Sequence, residues 1–161
     1  MRYLSARLVF QEVPDEISLA LLITGCPMRC RGCHSSDAWN GGRGRELCAE
    51  DFDFWLARSR GALTCVLFLG GEWEPEALAA WLDEAHRRGL KTCLYTGLER
   101  AEVPEELVAR LDYLKVGPYR ADRGGLDSPR TNQRFYDIST GRDLTFRFHQ
   151  EEFQGGKHDP A

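Results

Sequence analysis

Apolar positions along this chain gather in short unbroken runs, each closed by glycine, with amphipathic stretches between them. Residues 17–24 (ISLALLIT) form the first run, 64–69 (TCVLFL) the second and 91–96 (KTCLYT) the third. A continuous apolar run of that length predicts a strand buried on both faces, as in a parallel sheet. Helical periodicity fills the gaps. Phe52, Trp55 and Leu56 share a face over 50–59, and Leu78, Trp81, Leu82 and Ala85 share another. Pro75 stands in the first turn of that second helix, and Gly89 ends it. Pro104 opens a further helix, EELVARL, ahead of a strand at 112–116 (DYLKV). Arg2 to Phe10 alternates loosely and predicts an edge strand, and 135–148 holds two strand-like pieces, YDI and LTFRF. Three rounds of strand, loop and helix predict an α/β fold with mostly parallel strands.

Two stretches carry no periodicity, 27–47 and 118–134. Loops longer than about 12–15 residues are usually functional or disordered. The first begins at Gly25-Cys26-Pro27, where the first apolar strand ends. Gly70-Gly71-Glu72 and Thr96-Gly97 stand at the ends of the next two strands. In parallel α/β architectures the strand-to-helix loops converge at the carboxyl edge of the sheet, where ligands bind. These three segments are therefore expected to face one another.

Composition narrows the class. The chain has 161 residues, a net charge of −4 and 42% hydrophobic residues, which suits one packed domain and excludes a disordered chain. We expect a single domain over 1–148 and a polar, fraying tail over 149–161. A pI near 5.6 argues against a nucleic-acid partner held by bulk charge. No apolar run approaches the roughly 20 residues of a membrane helix, and MRYLSARLVFQEVP lacks the apolar core of a signal peptide. The expectation is a cytoplasmic protein without membrane or nucleic-acid partners.

The six cysteines are unevenly spread. Cys65 and Cys93 lie inside apolar runs, which predicts core packing, and Cys48 follows a Gly/Arg-rich loop without an assigned role. Cys26, Cys30 and Cys33 stand together as Cys-x3-Cys-x2-Cys, three soft donors on one loop. Thiolates select zinc, copper(I) or iron–sulfur clusters. A structural zinc wants four ligands, and the one nearby donor, His34, directly follows Cys33, where both side chains seldom reach one tetrahedral ion. Three cysteines leave an iron of a cubane open for chemistry. The spacing favours a cluster over zinc, and zinc stays open at this level.

With these motifs in place, CPMRCRGC at 26–33 resembles the CxxxCxxC loop of the radical S-adenosylmethionine superfamily, and Gly70-Gly71-Glu72 resembles its GGE motif. More narrowly, the chain is similar to the activating proteins of anaerobic ribonucleoside-triphosphate reductase. The strings that carry this are FQEVPDEISLALLITGCPMRCRGCHSSDAW (10–39), VLFLGGEWEPEAL (66–78), KTCLYTGLE (91–99), LDYLKVGPY (111–119) and GGLDSPRTNQRFYD (124–137). Two positions depart. Gly32 precedes the third cysteine where many superfamily members carry an aromatic residue, and Val116-Gly117 stands where other branches of the activase show Asp-Gly.

The resemblance implies a partial (β/α) barrel of radical SAM type with its site at the carboxyl-terminal mouth. It implies that Cys26, Cys30 and Cys33 hold a [4Fe–4S] cluster, whose remaining iron takes the amino and carboxylate groups of S-adenosylmethionine. Gly70, Gly71 and Glu72 would meet the methionine amino group. Thr96 and Gly97 become candidates for its carboxylate or the ribose, Gly32 and His34 for the cofactor surroundings, and Asn132 and Gln133 for the cofactor or the partner. The implied activity is reductive cleavage of S-adenosylmethionine to install a glycyl radical on the glycyl-radical subunit of the reductase, driven by flavodoxin or another low-potential electron donor. Activation of a different glycyl-radical enzyme, another small radical SAM activity and a zinc-binding interaction domain are the alternatives. Trp39 and Trp73 beside the motifs either shield the site from water or serve as core. Arg29, Arg31, Arg43 and Arg45 either dock an acidic donor or simply solvate their loop.

Overall fold

The structure, a computed structural model, describes residues 1–149. The polar tail expected at the C-terminus lies, from residue 150 onward, outside the described residues. Eight strands make one open sheet: β1 (Arg2–Val9), β2 (Ser18–Ile23), β3 (Arg45–Glu46), β4 (Cys65–Leu69), β5 (Lys91–Tyr95), β6 (Tyr113–Val116), β7 (Arg134–Asp137) and β8 (Arg142–Asp143). Their order across the sheet is β3-β1-β2-β4-β5-β6-β7-β8. The helices are α1 (Ala49–Arg58), α2 (Pro75–Arg87) and the single turn α3 (Glu105–Val108).

The centre is parallel as the apolar runs predict, with β2, β4, β5 and β6 joined by parallel ladders. The wings correct the expectation of a mostly parallel sheet, because the four remaining ladders, β1–β2, β1–β3, β6–β7 and β7–β8, are antiparallel. The reason is connection length. A parallel return needs a crossover of a dozen or more residues, usually a helix, whereas β1 and β2 are joined by a short turn and β7 and β8 by a tighter one. The link from β6 to β7 is long but carries no helix to cover a crossover. Two further corrections are local. LTFRF, expected as a strand, is largely a 3-10 turn at Thr145–Phe148, and the helix after Pro104 stops at Val108. The irregular stretch 27–47 also contributes β3, whose two residues bridge to Arg2 and Tyr3, so β1 is not an edge at its start.

The two faces of the sheet are unlike. On one, Leu19, Leu21, Val66, Phe68, Leu94 and Leu114 pack against Phe52 of α1, Leu78 and Leu82 of α2, and Leu107 of α3, a single apolar core. Burying a residue of that size contributes about 1.5–3 kcal/mol. The 3-10 turn Thr145–Phe148 reaches the other face through Phe148, but among the described residues no α-helix packs on it. A smaller cluster of Val9, Val13, Ala20, Cys65, Leu67, Cys93 and Phe135 fills its lower part, and the carboxyl ends of the strands above that cluster stand free to line a cavity.

Candidate active site

Along that helix-free face the parallel register sets one residue per strand in a row: Leu22 beside Leu69, Leu69 beside Tyr95, and Tyr95 beside Lys115. The row lines a cavity of about 190 Å³. The convergence expected from the sequence holds here. Cys26, Cys30 and Cys33 on the loop after β2, Gly70 and Glu72 after β4, and Thr96 and Gly97 after β5 all line the same cavity. Trp39 and Trp73 line it as well. Gly71, Gly32 and His34 stand outside that lining. Gly71 backs onto Ile23, and His34 leans on Tyr119, ring centroids 5.3 Å apart, beside a second and more open cavity of about 620 Å³.

The turn after β4 explains its glycines. Trp73 folds back over it and donates its indole N–H to the Thr24 carbonyl at 3.2 Å. The ring lies so close that a Cβ on Gly70 would meet it at 2.4 Å, and Gly70 itself sits at φ +87°. Only glycine fits that close approach in that conformation. The turn thereby aims Glu72 inward. Glu72 is 9% exposed; its Oε1 accepts the Thr96 hydroxyl at 2.6 Å, and among the described residues Oε2 is buried without a partner. Burial pushes this carboxyl above the usual carboxylate range, against the hydrogen bond from Thr96. An orphaned carboxylate oxygen in a closed site is costly, and it wants a donor such as an ammonium.

Lys115 was not singled out by the sequence reading. It is 7% exposed, its Nζ donates to the carbonyls of Gly117 at 2.9 Å and Thr96 at 3.4 Å, and burial pulls its pKa down to about 8. A signal for it existed in DYLKV: Tyr113 and Lys115 share the strand face that carries Cys93 and Tyr95 on β5, and a lysine in the middle of a buried strand is rare. Gln133 also lines the cavity and donates to the Gly117 carbonyl at 3.3 Å, while Asn132 donates to the Pro118 carbonyl at 2.9 Å. The pair thus pins the Gly117-Pro118 turn.

All six cysteines are free thiols, and Cys65 and Cys93 are buried as expected. Cys48 caps α1, its backbone N–H donating to Asp51 Oδ2 at 3.0 Å. Among the described residues no three His, Cys, Asp or Glu side chains converge on a single ion position. Cys26, Cys30 and Cys33 all line the one cavity, and three thiols are the donor set that an iron–sulfur cluster takes. Burial raises the Cys26 thiol above its ordinary pKa. Two of the loop arginines are already engaged, Arg43 with Asp37 at 3.2 Å and Arg45 with Asp51 and the Tyr3 hydroxyl. No helix among the described residues is long and apolar enough to cross a membrane.

Residues 17–134 match the family described as the 4Fe-4S single cluster domain. The pyruvate formate-lyase-activating enzyme of Clostridium pasteurianum is 30% identical over 118 residues, covering 68% of this chain and 48% of that protein. The pyruvate formate-lyase 1-activating enzyme of Escherichia coli (strain K12) is 32% identical over 81 residues, 45% of this chain and 32% of that protein. The matched region therefore spans about half or less of the length of these curated relatives.

Proposed function

The chain belongs to the 4Fe-4S single cluster domain family, and on that premise we propose that it is a radical SAM activase that installs a glycyl radical on a partner enzyme. The observation that carries the reading is the shared cavity: three thiols on one loop and, lining the same space, a buried carboxylate with an oxygen unpartnered among the described residues. Cys26, Cys30 and Cys33 hold the [4Fe–4S] cluster, and the orphaned Glu72 Oε2 accepts from the amino group of S-adenosylmethionine. When bound, the pair supplies one-electron reductive cleavage of the sulfonium, chemistry outside the reach of amino-acid side chains.

The rest is the work of the chain. Trp39 and Trp73 wall the cavity from water, and the Thr96 hydroxyl fixes the Glu72 carboxylate. The helix-free face serves as the inner wall of a partial (β/α) barrel, four parallel strands wide, with the site at its carboxyl-terminal mouth. Cys33, Ser35, Tyr95, Lys115, Tyr119 and Gln133 line both cavities, so the wider one gives a route by which a backbone segment of a partner reaches the site.

The partner is the glycyl-radical subunit of an anaerobic ribonucleoside-triphosphate reductase. The strings at 10–39, 66–78, 91–99, 111–119 and 124–137 support this. A flavodoxin-like protein or another low-potential donor supplies the electron. Pyruvate formate-lyase is the second reading, favoured by the relatives at 30–32% identity. One experiment separates them. The reconstituted, reduced protein is incubated with S-adenosylmethionine and either the reductase or pyruvate formate-lyase, and glycyl radical is read by electron paramagnetic resonance. Signal on the reductase alone supports the first reading, and signal on the lyase alone replaces it with the second.

A further inference from the structure

Among the described residues, Phe10 and Phe146 are the most exposed large apolar side chains, at 64% and 62%. Both flank the wide cavity. Phe10 directly precedes Gln11 and Glu12, which line it, and Phe146 stands two residues before Phe148, which lines it too. These segments are fastened to the cavity wall: the Tyr95 hydroxyl donates to the Glu12 carbonyl, and the Phe148 and Phe135 ring centroids lie 5.0 Å apart. They are also fastened to each other, since Arg147 donates to both carboxylate oxygens of Asp15, at 2.5 and 2.9 Å. Two phenylalanines are thus held in solvent by turns whose neighbours are anchored inward.

A lone exposed phenylalanine is ordinary, but two on joined segments at one mouth are the aromatic anchors that interfaces favour. Whatever covers them must also suit the local charge. Glu12 and Asp127 line the same cavity, and among the described residues neither forms an ion pair; the Glu12 carboxylate accepts only the Gln11 N–H, at 3.2 Å. In a two-fold pair of copies this patch would meet itself, setting acids against acids at a cost. A different protein, with apolar sockets and a basic residue, suits both features.

We propose that Phe10 and Phe146 are the anchors by which the glycyl-radical partner seats itself on the mouth of the wide cavity, with Glu12 and Asp127 meeting a basic residue beside the segment that enters. The proposal rests on the activase reading above and adds to it the surface and chemistry of recognition. Phe54, also exposed, stands apart on α1 with its ring edge-on to Trp55 and belongs to no such mouth.

The test uses the reconstituted, reduced holoprotein with S-adenosylmethionine and the whole partner enzyme that it activates. It reads 5′-deoxyadenosine formed without partner, and the partner concentration that gives half-maximal glycyl radical. Phe10→Ser/Phe146→Ser is expected to raise that concentration about tenfold or more and to leave the 5′-deoxyadenosine unchanged, while Phe54→Ser changes neither. In the parent the requirement rises with salt, and in Glu12→Gln/Asp127→Asn it rises much less. An unchanged requirement in the phenylalanine variant, an equal rise in Phe54→Ser, or loss of its 5′-deoxyadenosine would overturn the proposal. With the requirement unchanged, loss of self-association in that variant would give the rim to a second copy, and a lower melting temperature would give it to residues 150–161 of the same chain. A parent that forms 5′-deoxyadenosine but no radical on either candidate partner would overturn the activase reading as well, and one that forms no 5′-deoxyadenosine would overturn the radical SAM chemistry beneath both.

Discussion

Thr96 donates its hydroxyl to Glu72 Oε1 at 2.6 Å and leaves Oε2 buried and unpaired. The carboxylate is thus oriented but unfinished, which is how a binding group rather than a structural one is built. Replacing Thr96 with valine removes the orienting donor from a buried charge. Thr96→Val is expected to lose about 1–3 kcal/mol of stability, and Glu72, without the bond that holds its pKa down, shifts further up. Chemical denaturation measures the first, and carbonyl-region infrared difference spectra of the carboxyl follow the second.

Glu72 carries a stability cost with a definite pH signature. Its folded pKa is raised by burial, so the folded chain keeps a proton that the unfolded chain releases above about pH 4. The associated stability is fully present below that pH and is lost as pH rises through the folded value. Glu72→Gln cannot ionise and escapes the loss. The ligand-free variant should therefore melt above the parent near pH 7, with the gap closing toward pH 4, while its affinity for S-adenosylmethionine falls. A gap independent of pH would contradict the assignment.

Gly70 tolerates no side chain. A Cβ there meets the Trp73 ring at 2.4 Å in a backbone conformation at φ +87°. Gly70→Ala should cost about 1–3 kcal/mol and displace Trp73 from the cavity wall. Quenching of tryptophan fluorescence by acrylamide checks the displacement, with greater quenching expected in the variant.

The cysteines separate cleanly by position. Alanine at 26, 30 or 33 should abolish the visible absorbance of the reconstituted cluster, because each removes a donor lining the cavity. Alanine at 65 or 93 should keep the absorbance at the expense of about 1–2 kcal/mol, since both thiols are buried in the small core beneath the site. Iron content per chain provides the count.

Much of this was legible beforehand because the parallel core depends on local pattern. ISLALLIT, TCVLFL and KTCLYT are apolar on both faces, and the glycines that close them mark the edge where the site forms. The wings were less legible. LTFRF has strand composition, yet Thr145 accepts Phe135 N–H at its hydroxyl and turns the chain into a 3-10 turn. Arg45 and Glu46 pair with β1 only because the loop returns there, a long-range fact without a local signature. Lys115 was legible only in part. A lysine inside the run DYLKV is a signal in itself, but its place beside Tyr95, Leu69 and Leu22 in the cavity wall is a matter of strand register.

The central claim is that Cys26, Cys30, Cys33 and Glu72 make one radical SAM site. The measurement that tests it most directly is anaerobic: the chain is reconstituted with iron and sulfide, reduced, given S-adenosylmethionine, and assayed for 5′-deoxyadenosine and methionine. The account predicts both products in equal amount, and neither from Cys30→Ala. A colourless parent protein that binds one zinc per chain and forms no 5′-deoxyadenosine would contradict it.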